Sequence, residues 1–103
     1  MGGSKLKKVR ITAAEIQQRY NAGPIPARIL SGVYHLEEIP PTHLAPASLN
    51  MPKGTRSVMY NVLNKNGVVL AKVHAYVRPD ASYGASGKLD PKYLLFGTTI
   101  YYV

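Results

Sequence analysis

Residues 56–78, RSVMYNVLNKNGVVLAKVHAYVR, decide the fold. Two runs rich in strand-forming residues flank Asn64-Lys65-Asn66-Gly67, and Asn-Gly between such runs is a strong short-range signal for a β-hairpin. In the second run every odd position from Ala71 to Val77 is a small or branched apolar residue, while Lys72, His74, Tyr76 and Arg78 take the even positions. A strand turns successive side chains to opposite faces, so those four groups form one stripe opposite an apolar face. The loop length sets the register. If only Lys65 and Asn66 form the loop, Val58 faces Val73 and Tyr60 faces Ala71, which puts Val58, Tyr60 and Val62 on the apolar face. A three-residue loop with Gly67 in the left-handed region moves the register by one and turns Met59 and Leu63 inward instead. The first is expected, because Val58, Tyr60 and Val62 are the more strand-like set.

Upstream, Thr12-Ala13-Ala14-Glu15 is a capping box, with Ile11 and Ile16 at the positions of a hydrophobic staple. A helix is predicted from there to about Ala22, closed by Gly23-Pro24 and docked through Ile16 and Tyr20. Pro24 and Pro26 then predict an extended passage, and residues 29–39 a strand region broken at Gly32. Residues 40–52, PPTHLAPASLNMP, hold four prolines and read as a long loop. Asp90-Pro91 reads as a helix N-cap followed by proline in the first turn, giving a short helical turn that stops at Gly97. Residues 98–103, TTIYYV, form a terminal strand. The fold class expected is α+β, an N-terminal helix packed on a small, mostly antiparallel sheet of three to four strands.

The chain has 103 residues and 46% hydrophobic content, which fits one folded domain with a modest core. Residues 1–10 read as a basic arm, of which 1–4, MGGS, have the composition of an expression tag, and residues 11–103 as a single domain. Net charge is +8 and unevenly spread. Lys5, Lys7, Lys8 and Arg10 charge the arm, Arg19 and Arg28 are outweighed by Glu15, Glu37 and Glu38, and the excess returns in the half that carries the stripe. Such a field favours a polyanion, either nucleic acid or an acidic protein surface. The absence of cysteine excludes disulfides, thiolate chemistry and Cys-based zinc sites. The N-terminal lysines are followed by no apolar run, so neither a secretory signal nor a membrane span is expected, and the cytoplasm is the default location.

No motif identifies a reaction. Gly84-Ala85-Ser86-Gly87-Lys88 departs from a nucleotide-binding P-loop, which needs glycines five apart and Ser or Thr after the lysine, where Leu89 stands. It departs from the backbone clamp of KH domains as well, since that loop joins two helices and this one follows a strand. The histidines at 35, 43 and 74 show no metal-ligand spacing, so neither a metal nor another cofactor is expected. What remains is a basic surface interleaved with tyrosines, the requirement for stacking unpaired bases beside phosphates. The expected function is nucleic-acid binding, RNA favoured, through Lys72, Arg78, Tyr83, Lys88 and Lys92.

Two alternatives use other chemistry. Metal-independent cleavage of RNA needs an acid–base group and cations around a phosphodiester, roles open to His74, Tyr76 and Arg78. A small basic domain with a helix on an antiparallel sheet is also similar in architecture to compact bacterial toxin RNases, a similarity of fold alone, which does not carry an activity with it. The terminal strand 98–103, in turn, suits addition to another sheet or pairing with a second copy of the chain.

Overall fold

The computed structural model describes residues 6–84 and 89–103. Six strands form one mixed sheet with two short helices on one face. The strands are β1 (Lys7–Arg10), β2 (His35–Leu44), β3 (Arg56–Leu63), β4 (Val69–Val77), β5 (Asp90–Phe96) and β6 (Thr99–Tyr102). The helices are α1 (Ala13–Ala22) and α2 (Ile25–Leu30), and a single 3₁₀ turn spans Ala47–Leu49. The sheet order is β1-β6-β5-β4-β3-β2. Strands β2 to β6 form an antiparallel meander, and β1 joins β6 in parallel. Among the described residues no helix is long and apolar enough to cross a membrane.

The expected three- to four-stranded sheet with one helix is therefore corrected, for three local reasons. Lys7–Arg10, read as an arm because of its charge, is an edge strand, where lysines are tolerated and discourage pairing with further chains. Asp90-Pro91 opens a strand and not a helix. Pro91 is fully buried opposite Val73, next to a bulge at Lys92 where its missing N–H breaks no regular ladder. Pro24 and Pro26 start α2 rather than an extended passage, because first-turn N–H groups have no helical partner to lose. In the stretch expected as a loop, β2 runs on through Pro40 and Pro41 to Leu44, with a register shift between Ile39 and His43. β2 is an edge strand, so the prolines cost few ladder bonds.

The capping box forms as predicted. The Thr12 hydroxyl accepts from the Glu15 N–H at 3.1 Å, and the Glu15 carboxylate accepts from the Thr12 N–H at 3.2 Å. Ile16, Tyr20 and Ile25 of the helices pack on Val62, Ala71, Val73 and Leu94 of the sheet. This defines an inner face and leaves the opposite, outer face of the sheet uncovered by the helices. The hairpin reaches its register by two offsets. Gly67, at φ +78°, closes a three-residue loop, and Leu63 pairs with Val69. An extra residue at Leu70 then shifts the ladder again, so Val62 faces Ala71, Tyr60 faces Val73 and Val58 faces Ala75. The partners differ by two residues from those expected, yet the face is unchanged because two single-residue slips restore the alternation.

Candidate functional site

The stripe on β4 projects from the outer face, since Ala71, Val73, Ala75 and Val77 between its members are buried inward. Strand pairing extends Lys72 into a row across the whole sheet. Arg10 on β1 lies beside Tyr102 on β6, Tyr102 beside Tyr93 on β5, Tyr93 beside Lys72 on β4, Lys72 beside Asn61 on β3, and Asn61 beside Glu37 on β2. Neighbouring strands stand about 4.8 Å apart, which puts the two tyrosines side by side with a cation at each flank. The Lys72 ammonium sits 5.4 Å from the Tyr93 ring centroid, so the two share a face and the cation steadies the ring. The row changes sign along its length. At its far end the Asn61 amide donates to the Glu37 carboxylate at 3.3 Å. Arg10 and Lys72 are exposed, and Tyr93 and Tyr102 half-exposed.

One step along β4, His74 lies between Met59 on β3 and Asp90 on β5. Its Nε2 is 2.6 Å from the Ser57 hydroxyl, which belongs to the next outward-facing pair, Ser57 with Tyr76. The Tyr76 ring meets the imidazole edge-on at 4.7 Å between centroids. Lys92, at the β5 bulge, forms an ion pair with Asp90 at 2.9 Å. Partial burial lowers the His74 pKa below its ordinary value; the Lys92 ammonium lowers it further and Asp90 opposes both. The imidazole is accordingly neutral at pH 7 and able to accept a proton.

The structure thus brings together Lys72, His74, Tyr76 and Lys92, and separates Arg78 and Tyr83 from them. Arg78 follows the end of β4, where the chain turns back, and its guanidinium donates to the Tyr83 carbonyl at 2.9 Å and the Ser82 hydroxyl at 3.4 Å. That turn also carries Tyr83 to the inner face, where it pairs with Val77 and packs against Val58 and Ala75. Lys88 lies outside the described residues. Arg10, Tyr93, Tyr102, Ser57 and Asp90 are additions. Reading 90–96 as a strand would have exposed Tyr93, but the ranking of Ser57 and Tyr102 depends on cross-strand register, which no local pattern carries. The terminal strand β6, expected as an edge, is paired on both sides; the free edges belong to β1 and β2.

No protein-family model, curated protein or solved structure shows a significant match to this chain.

Proposed function

We propose that the outer sheet face binds single-stranded nucleic acid, RNA foremost, with two unpaired bases on Tyr102 and Tyr93 and the backbone held by Arg10, Lys72 and Lys92. The observation that supports this reading is the row Arg10–Tyr102–Tyr93–Lys72, adjacent aromatics between cations on the face opposite the helices. A π-face accepts any base, so such a row binds without reading sequence, and duplex bases, already stacked, gain nothing from it. Glu37 at the other end repels phosphate, which confines the nucleic acid to the four strands β1, β6, β5 and β4.

Fluorescence anisotropy with single- and double-stranded RNA and DNA oligonucleotides over a salt series tests the proposal. Single strands should bind better than duplexes, with affinity falling steeply as salt rises. Tyr93→Ala should weaken single-strand binding by roughly 5- to 150-fold, the equivalent of about 1–3 kcal/mol per stacked base. Lys72→Ala should weaken all sequences alike and flatten the salt slope. Tyr83→Phe, on the inner face, should leave binding unchanged. No binding at low salt, or equal affinity for duplex and single strand, refutes the reading.

A further inference from the structure

We infer that the same face also cleaves the RNA it binds, by metal-independent transesterification through a Ser57–His74 proton relay; this rests on the binding reading above. The pair is placed for it. Ser57 and His74 come from different strands and lie diagonally across β3 and β4, with the hydroxyl and Nε2 only 2.6 Å apart. A hydroxyl can donate one hydrogen bond while accepting another. With the neutral imidazole protonated at Nδ1, Ser57 donates to Nε2 and its oxygen is left to accept from a ribose 2′-hydroxyl. His74 is the stripe residue next to Lys72, and residues two apart on a strand are separated by about 7 Å, close to the span of one nucleotide step. A base on Tyr93 therefore brings its own sugar and phosphate to the Lys72–His74–Lys92 side of the face.

The 2′-hydroxyl gives its proton to Ser57 as Ser57 passes its own to His74 Nε2. The 2′-oxygen attacks phosphorus, the bond from phosphorus to the 5′-oxygen breaks, and a 2′,3′-cyclic phosphate forms. Lys92 and Lys72 neutralise the charge that develops on the phosphoryl oxygens. Tyr76, opposite Ser57 in the ladder, supplies the proton for the departing 5′-oxygen. His74 then returns the gained proton to Tyr76 through solvent, and both groups are reset. No oxidant or co-reactant is consumed. DNA, without a 2′-hydroxyl, should be bound and not cut.

The experiment is incubation of an end-labelled mixed-sequence RNA and its DNA counterpart in EDTA, with anisotropy run on the same samples. Wild type should release fragments ending in 2′,3′-cyclic phosphate from RNA and leave DNA intact. His74→Gln should lower the cleavage rate by about a hundred- to ten-thousand-fold, the usual cost of removing a positioned acid or base, with binding unchanged. Ser57→Ala should lower it to a similar extent, and Ser57→Thr, which keeps the hydroxyl, should recover activity. The serine pair keeps the test decisive if the glutamine variant fails to fold. Binding without cyclic-phosphate products, or wild-type rates in both His74→Gln and Ser57→Ala, overturns the relay and leaves the binding reading standing. Absence of RNA binding overturns both.

Discussion

His74 resists its proton in the folded chain, chiefly because it is partly buried and then because Lys92 stands beside it. The groups around it are Asp90 and Lys92 from β5, Tyr76 and Lys72 from its own strand, and the uncharged Met59 and Ser57 from β3. The unfolded chain takes up that proton near pH 6.5, whereas the fold does so only at lower pH. Between the two values the unfolded state holds more protons, so stability rises with pH there. The contribution is fully present above pH 6.5, is lost as the pH falls through the lower folded value, and does not change further below it. Thermal melts from pH 8 to 5 should show wild type losing stability in that window relative to His74→Gln; parallel curves would mean that His74 does not sense its surroundings. At this scale the alternation from Ala71 to Val77 tells correctly which side chains share a face. It cannot tell that Arg78 is already engaged by the Ser82 hydroxyl and the Tyr83 carbonyl of the following turn, because the alternation has no mark for where a strand stops.

Elements whose ends are signalled by side-chain-to-backbone chemistry are the most legible. The Thr12–Glu15 box depends on residues three apart and on nothing distant, so the start of α1 can be read directly. Thr12→Ala should cost about 1 kcal/mol of stability, measured by denaturant unfolding, with RNA binding unaffected; an unchanged midpoint would mean that the cap adds nothing to α1. Proline is the misleading signal. The same residue suits a first helical turn, an edge strand or a bulge, and only the tertiary setting chooses among them. Pro26 takes the first, Pro40 and Pro41 the second and Pro91 the third, whereas local reading assigns a passage, a loop and a helix. The hairpin is intermediate. Its inward set, Val58 and Val62 with Ala71 and Val73, follows from periodicity, but the compensating slips at Gly67 and Leu70 belong to the pairing of two strands and not to either one.

For the whole molecule, the two-layer class follows from one amphipathic helix and a strongly alternating hairpin, while the number of strands does not, because Lys7–Arg10 and Asp90–Phe96 lack the apolar alternation of β4. The β1–β6 junction sets Lys7 beside Thr99 and Arg10 beside Tyr102, with both strands running the same way. Tension applied through residues 7 and 102 would therefore pull the two strands from opposite ends of their overlap. The hydrogen bonds between them would be loaded together, in shear, and could not be undone one after another like a zip. Force spectroscopy should find a higher rupture force along this axis than when the same molecule is pulled through residues 44 and 102, where the antiparallel β2–β3 pair is loaded at the Leu44 end. Equal forces in the two geometries would contradict this. Resistance to rupture is governed by the unfolding barrier and not by equilibrium stability. A domain of modest thermal stability can thus be hard to draw through a narrow pore along the β1–β6 axis, as an unfoldase would have to do.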